Sequence, residues 1–145
     1  MTSTKMYWGV LFVALFVFMA GSAFADEKLA SISPQRVLFQ HPKFEQVQKQ
    51  IKAVMDKKQN EAKAAIDKEP DNNKKAQIFQ NKKQEVAVEE RKLMEPLFKD
   101  IDLAVRAVAA AKKITVVVDK SALFFGGVDI TEDVILELKK KNAGN

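Results

Sequence analysis

The chain has 145 residues, a length typical of a single domain. It contains no cysteine, which excludes a disulfide framework, a thiolate metal site and a lipidated cysteine. Lysine and arginine together number 24 against 19 acidic residues, so the formal net charge is +5. This balance favours acidic or anionic partners.

Residues 1–25 have the pattern of a secretory signal peptide. Lys5 lies in a short polar start, residues 7–19 are apolar almost throughout, and Ala23-Phe24-Ala25 supplies the small residues of a cleavage site. The apolar run is shorter than the roughly 20 residues that a membrane-spanning helix needs. We therefore expect cleavage at this site and export of residues 26–145 as one domain, which argues against a nucleic-acid partner. An uncleaved anchor is the alternative.

Residues 42–113 predict two long helices that are broken once, near Pro70. This proline ends the first helix because its ring disfavours the helical conformation of the preceding residue. Asn72 or Asn73 then serves as the N-cap of the second helix. Pro96 lies inside the second helix, where the loss of one backbone hydrogen bond predicts a bend or a local break.

The two helices are predicted to form an antiparallel hairpin of arms, residues 42–111, each with a narrow apolar stripe. Apolar residues recur at helical or heptad spacing in both arms: Phe44, Val47, Ile51 and Val54 in the first, Phe79, Val86 and Leu93 in the second. Such a stripe gives two helices little stability in isolation, so the arms must be held at their base. Their apolar residues either pair the two helices or contact a partner. The candidates for partner contact are Val47, Ile51, Val54, Met55, Ile66, Ile78, Phe79 and Val86.

The arms also hold the net positive charge. Between Lys49 and Lys83 there are ten lysines and five acidic residues, whereas the rest of the chain after residue 25 is close to neutral. This concentration indicates either a solvated helical face or a surface that attracts acidic chains and anionic lipid head groups. The candidates for such electrostatic capture are Lys57, Lys58, Lys74 and Lys75.

The arms are flanked by a root, residues 26–41 and 112–145, that contains short β-rich segments. Ile114–Val118 is β-branched throughout and Ala122–Phe125 is apolar, with the turn residues Asp119–Ser121 between them. This pattern predicts a hairpin of two short strands.

After a turn at Gly126-Gly127, a last helix is predicted from Thr131, with acidic residues in its first turn and lysines at its end. A few short strands and one helix bury too little apolar surface to be stable alone. We therefore expect the root to oligomerise. The residues assigned to this interface are Val116, Val118, Leu123 and Phe124.

No set of side chains indicates catalysis. His41 is the single histidine and has no cysteine or second histidine to share a metal, so a structural or surface role is expected. Ser121 lacks a G-x-S-x-G elbow, and Gly126-Gly127 is not followed by the Lys-Ser/Thr pair of a phosphate loop. The acids Glu89-Glu90 lie among lysines on a helix, as solvated ion pairs do. We predict no enzymatic activity, no cofactor and no metal.

One segment carries a recognisable family pattern, Val116-Val-Val-Asp-Lys-Ser-Ala-Leu-Phe-Phe-Gly-Gly-Val-Asp-Ile-Thr-Glu-Asp-Val-Ile135. In this pattern a second strand follows around Leu123-Phe124, and Val128-Asp129-Ile130-Thr131 leads into the last helix. Pro34–Leu38, after a first strand at Leu29–Ser33, is similar to an opening segment of the same family. Together these features resemble the Skp/OmpH family of periplasmic chaperones over the whole chain after residue 25.

The resemblance implies an α+β fold that is mostly α. It implies a jellyfish-like homotrimer, in which a small intersubunit β body carries three helical hairpins that enclose unfolded outer-membrane proteins. A holdase must bind many sequences weakly, which suits long arms with scattered apolar side chains and a positive field. We therefore predict an ATP-independent periplasmic holdase, with anionic lipid surfaces as a further partner. The alternative is a structural coiled-coil protein of the envelope, anchored by an uncleaved N-terminal segment.

Overall fold

Two helices make up most of the part of the chain that the structure, a computed structural model, describes, residues 28–144. The signal peptide predicted for residues 1–25 lies outside these residues. The elements in chain order are β1 (Leu29–Ile32), α1 (Pro34–Phe39), α2 (Phe44–Lys68), α3 (Asn72–Lys112), β2 (Val116–Asp119), β3 (Val128–Asp129) and α4 (Thr131–Ala143). The fold is mostly helical with a small β-sheet, which confirms the predicted α+β, mostly α class at that level.

The sheet has three strands, and β1 lies in its centre. Both neighbours run parallel to it, with Leu29 beside Val116 in β2 and Ala30 beside Val128 in β3. The pairing with β2 starts at the carbonyl oxygen of Lys28, which accepts a hydrogen bond of 3.0 Å from the backbone amide of Thr115. Because β2 and β3 each pair with β1 alone, each leaves one edge without a strand neighbour among the described residues.

The predicted hairpin between Ile114–Val118 and Ala122–Phe125 is wrong. Residues 120–122 form a 3₁₀ turn, and Ala122–Phe125 is not a strand. The Asp119 side chain stabilises this turn by accepting a hydrogen bond of 2.8 Å from the backbone amide of Ser121. The chain therefore leaves the sheet after Asp119, and β2 pairs instead with β1, far earlier in the sequence.

The glycines that follow this turn are required by the backbone. Gly126 and Gly127 have φ values of +87° and +79°, a region that side chains other than glycine rarely adopt. At Gly127 a Cβ atom would also lie 3.0 Å from the Leu123 Cδ2 atom and 3.4 Å from the carbonyl oxygen of Leu29. The predicted turn at these glycines is confirmed, and it brings the chain back to the sheet as β3.

The root has a hydrophobic core that one chain supplies by itself. Its buried members come from β1, α1, the last turns of α3 and α4: Ala30, Ile32, Val37, Ala104, Val108, Ile130, Val134, Ile135 and Leu138. The Thr131 hydroxyl, at the start of α4, accepts a hydrogen bond of 3.0 Å from the Ser33 amide, which ties α4 to the end of β1. This core is larger than the sequence indicated because α3 extends into it with Ala104 and Val108.

The two long helices run in opposite directions from the short connection at residues 69–71. Lys58 of α2 pairs with Glu85 of α3, and nearer the root His41, just before α2, lies beside Asp100 of α3. Residue numbers therefore fall along the first segment as they rise along the second, as expected for antiparallel helices. The N-cap of α3 is Asp71. Its carboxylate accepts hydrogen bonds from the backbone amides of Asn73, at 2.7 Å, and Lys74, at 3.2 Å. The prediction of Asn72 or Asn73 as N-cap is therefore wrong, since both lie inside the first turn.

Pro96 does not break α3, which is continuous over 41 residues. The predicted local break is therefore absent. A proline inside a helix costs one backbone hydrogen bond and crowds the preceding turn. Here the neighbouring Leu97 is only 1% exposed and packs against Val47 and Ile51 of α2, and this contact favours a helix that continues past the proline.

Candidate functional site

The base of the helix pair, next to the root, is an apolar seam. Val47 and Ile51 of α2 are buried against Leu97 of α3. Leu38, Phe44, Leu93 and Met94 pack around this cluster. Val47 and Ile51 were candidates for partner contact, and the structure places them between the helices, which is the other use that their spacing allowed.

Above the apolar seam, the two helices are joined by an alternating cluster of four charges. Lys58 Nζ lies 2.7 Å from Glu85 Oε2, and Lys82 Nζ lies 3.1 Å from Glu61 Oε2. Each helix also contributes one internal pair, Lys58 with Glu61 at 3.4 Å and Lys82 with Glu85 at 2.9 Å. We call this set the charge cluster.

The hydrogen bonds of the charge cluster stabilise the charged form of each member. The pKa of the Glu85 carboxyl is lowered chiefly by the hydrogen bond from Lys58, and that of Glu61 chiefly by the hydrogen bond from Lys82. The pKa values of the two ammonium groups are raised, in both cases mainly by the hydrogen bond to Glu85. Sequence analysis assigned Lys58 to electrostatic capture and did not single out Glu61. The missed signal was a Lys-x-x-Glu pair in each helix at matching distances from the connection.

The helices form an open groove of about 560 Å³ that runs past the charge cluster, from Met55 and Val86 on its root side to Ile66 and Phe79 on the side of the connection. Its lining consists of apolar residues, lysines and one glutamine: Met55, Lys58, Gln59, Ala62, Lys63, Ile66, Phe79, Lys82, Lys83 and Val86. The Phe79 side chain is 56% exposed and Met55 is 49% exposed, although both are large and apolar. Ala62 is the one buried residue between residues 52 and 96, and its small methyl group leaves room above the seam. We call this feature the distal groove.

The distal groove brings together half of the residues predicted to contact a partner. Met55, Ile66, Phe79 and Val86 line it. Val54 and Ile78 are half-buried and lie outside its lining. The remaining two, Val47 and Ile51, belong to the apolar seam.

The lysines predicted for electrostatic capture have different surroundings. Lys57 and Lys74 are exposed and Lys75 is half-buried, and within residues 28–144 no carboxylate oxygen lies within 4.0 Å of their ammonium groups. Lys58 instead lies in the charge cluster and at the rim of the distal groove. Sequence analysis did not single out Lys63 and Lys83, which also line this groove.

The root carries a second exposed apolar surface around its sheet. Phe124 is fully exposed and Phe125 is 92% exposed, both in the loop between β2 and β3. Val116 and Val128 are exposed on the two edge strands. Of the predicted interface residues, Val118 and Leu123 are half-buried. Phe125 and Val128, which are exposed on the same surface, were not among the predicted interface residues.

His41 is buried where the root meets the helix pair. Its Nδ1 atom accepts a hydrogen bond of 3.1 Å from the Lys43 amide, and its Nε2 atom has no hydrogen-bond partner. The nearest carboxylate, Asp100, lies 3.8 Å away and is also 3.7 Å from Lys141. Burial lowers the pKa of His41, Asp100 opposes this shift and Lys43 adds to it. Among residues 28–144, no three His, Asp or Glu side chains are placed to hold a metal ion.

Within residues 28–144, no helix combines the length and the hydrophobicity needed to cross a bilayer. A comparison with curated proteins finds no match. Residues 70–138 match the OmpH family model, described as outer membrane protein (OmpH-like). The match covers α3, the two edge strands and most of α4, including the segment Val116–Ile135 that carried the resemblance. The match supports membership of the OmpH-like family, a family of periplasmic chaperones that bind outer-membrane proteins.

Proposed function

We propose that this protein is an ATP-independent periplasmic holdase that binds unfolded outer-membrane proteins on its helical arms and prevents their aggregation. The observation that carries this proposal is the distal groove, an apolar surface with lysines at its rim. Membership of a family of periplasmic chaperones supports the same function.

The arms meet two physical requirements of a holdase. Large apolar side chains that remain exposed on a folded protein commonly mark a binding surface, and Met55 and Phe79 are about half exposed in the distal groove. The groove is open and shallow, so it favours weak contacts with many sequences over one fitted ligand. Lysines without a carboxylate partner among the described residues, such as Lys57 and Lys74, add a long-range positive field that speeds the approach of acidic chains and of anionic lipid surfaces.

The root is proposed to assemble the protein into a homotrimer. The unpaired edges of β2 and β3, with Val116, Phe124, Phe125 and Val128 exposed beside them, form a surface that favours contact with further copies. The number three comes from the resemblance to the Skp/OmpH family. Three helix pairs would then extend from one shared root and enclose the client.

Export by a cleaved signal peptide at residues 1–25 is part of the proposal. A periplasmic location agrees with the location of the family. Intact-mass analysis of protein from the cell envelope should give a chain that begins at Asp26. Retention of residues 1–25 would favour an anchored envelope protein instead.

Holding is tested by light scattering of an outer-membrane protein diluted from denaturant. The parent protein should suppress aggregation without ATP, and Phe79→Ala should require roughly three- to tenfold more protein for equal suppression, because part of an apolar contact is lost. Phe98→Ala is the matched control, since Phe98 lies on the same helix, is 54% exposed and does not line the groove. No suppression by the parent would contradict the holdase function and leave the structural coiled-coil alternative.

Assembly is tested by light scattering of the purified protein in solution. Phe124→Asp should dissociate the trimer, because an unpaired carboxylate buried in an interface costs several kcal/mol. Val88→Asp is the control, since Val88 is also exposed but lies on α3 far from the sheet. A parent protein that is monomeric at micromolar concentration would contradict the proposed assembly.

A further inference from the structure

The lining of the distal groove has an unusual charge composition. It contains four lysines and no carboxylate, although the arms carry acidic residues as well. The depression on the other side of the charge cluster is different: it is lined by Lys58, Asn81, Gln84, Glu85, Val88 and Glu89, which include two carboxylates and one lysine. The positive charge is therefore concentrated on the side of the helix pair that also exposes Met55 and Phe79.

The four lysines of the groove fall into two pairs with different surroundings. Lys58 and Lys82 are bound by the glutamates of the charge cluster, at 2.7 and 2.9 Å from Glu85. Lys63 and Lys83 have no carboxylate oxygen within 4.0 Å among the described residues, and both are exposed. One of them lies on α2 and the other on α3, so a free ammonium group is present on each helix beside the apolar floor.

We infer that the distal groove selects extended segments of unfolded polypeptide in which an apolar side chain is followed or preceded closely by Asp or Glu. The apolar side chain packs on Met55, Ile66 and Phe79, and the carboxylate interacts with Lys63 or Lys83. This inference rests on the proposed holdase function and specifies the sequences that the arms prefer. Lys63 and Lys83 are the specificity-determining residues.

The shape of the groove favours a polypeptide over a single-chain anionic lipid. A lipid tail gains most from an enclosed cavity with one charged end, whereas this groove is open and has its free ammonium groups on two different helices. An extended chain can place side chains on both helices at once. Charge complementarity then decides which segments stay bound, because a basic segment would meet the ammonium groups of Lys63 and Lys83 without a carboxylate in the lining to pair with.

The test uses the exported protein and two short fluorescent peptides with the same apolar residues, one with Glu and one with Lys at the intervening positions. Binding is measured by fluorescence anisotropy at low ionic strength. The parent should bind the acidic peptide roughly tenfold more tightly than the basic one, and the double variant Lys63→Glu with Lys83→Glu should weaken acidic-peptide binding roughly three- to tenfold while strengthening basic-peptide binding. Both substitutions leave the charge cluster intact.

The control variant is Lys49→Glu with Lys99→Glu, which changes the net charge equally. One lysine lies on α2 and the other on α3, and both are exposed, lie outside the groove and have no carboxylate partner within residues 28–144. This variant should retain the preference for the acidic peptide. Equal changes in preference for the two double variants would overturn the groove as the source of selectivity.

Failure of the inference and failure of the proposed function give different results. If the parent suppresses aggregation but binds both peptides equally or binds neither, the selectivity is overturned and the holdase function stands. If monomeric dodecanoate displaces the acidic peptide and binds more tightly than it, the groove is an anionic-lipid site and the inference is wrong. If the parent does not suppress aggregation at all, the proposed holdase function is wrong, and the inference that rests on it is wrong as well.

Discussion

The root buries nine hydrophobic residues in one cluster, whereas residues 52–96 of the helix pair bury only Ala62. Helix α3 belongs to both regions, and its contacts change along its length. It contributes Ala104 and Val108 to the root core, Leu97 to the apolar seam, and Lys82 and Glu85 to the charge cluster. Near the connection it exposes Phe79. One continuous helix thus joins a stable base to an outer part whose apolar groups remain available.

The comparison teaches where stability and binding can be changed separately. Packing of apolar side chains is the main source of stability in a helix pair, and here it lies near the root. The outer part is joined by partly exposed charged pairs, which contribute less stability than apolar packing and respond to salt. Variants in the two regions should therefore give effects of different size and kind.

The largest effect is expected in the root core. Leu138→Ala should lower the free energy of unfolding by about 2–5 kcal/mol, because Leu138 is fully buried in the root core and its loss leaves a cavity. Leu136→Ala, at an exposed position two residues earlier in α4, should change it by less than about 1 kcal/mol. Denaturant unfolding followed by circular dichroism at one fixed protein concentration measures both. Similar losses for the two variants would contradict the assignment of the core.

The next effect concerns pH and the junction between the two regions. Burial holds the pKa of His41 in the folded protein below its usual value of 6.5, so the unfolded chain binds the proton more tightly. Stability should therefore fall as the pH drops through 6.5 towards the lowered folded pKa, and be fully present above 6.5. His41→Gln, which keeps a hydrogen-bond acceptor and cannot titrate, should remove this part of the pH dependence.

Because His41 is the single histidine of the chain, its imidazole gives one NMR signal, which reports the folded pKa directly. The charged groups that face it are Asp100, Lys43 and Lys141. A neutral Asp100→Asn variant removes the carboxylate that favours protonation and should lower the pKa of His41 further. A pKa at or above 6.5 in the parent would contradict the burial effect.

A smaller effect on global stability is expected in the charge cluster, with a local effect on the arms. Glu85→Gln removes the acceptor common to Lys58 and Lys82, so amide hydrogen exchange should increase around residues 55–90 and remain unchanged in the root. Salt should produce a similar increase in the parent. Glu89→Gln, which removes only a pair within α3, is the control.

The charge cluster should also respond to pH. Because the pKa values of Glu61 and Glu85 are lowered, its contribution to the stability of the helix pair should be fully present above pH 4.5 and should be lost as the pH falls through the lowered values.

The helices could be predicted from the sequence because their signals are local. The break at Pro70 and the periodic apolar residues placed α2 and α3 close to their observed ends. The predicted start at Pro42 precedes the observed start at Phe44 by two residues. Asp71 replaced the asparagines as N-cap because its extended backbone directs the carboxylate towards the first free amides.

The sheet and the groove could not be predicted, because they depend on distant pairings. Strand β2 pairs with β1 across the whole helix pair, and no local pattern contains that information. The distal groove depends on which residues of α2 and α3 meet, and this register also forms the charge cluster. Lys83 is one turn from Phe79 on the same helix, so the sequence already places these two on one face. Lys63 joins them in the lining of one groove only in the fold.

The smallest effect on stability, with a clear effect on rate, is expected for the exposed lysines. Lys57→Glu combined with Lys74→Glu should change the free energy of unfolding by less than about 1 kcal/mol, because both side chains are exposed and unpaired among the described residues. The variant should nevertheless capture an acidic unfolded client more slowly at low salt, since the positive field sets the rate of approach. Stopped-flow fluorescence measures that rate.

Lys58 is left unchanged in this variant, because its substitution would also open the charge cluster and mix the two effects. At about 0.5 M salt the Debye length is only a few ångströms, so the parent and the variant should then capture the client at equal rates. Equal rates at low salt would show that the arm lysines are a solvated face without a part in capture.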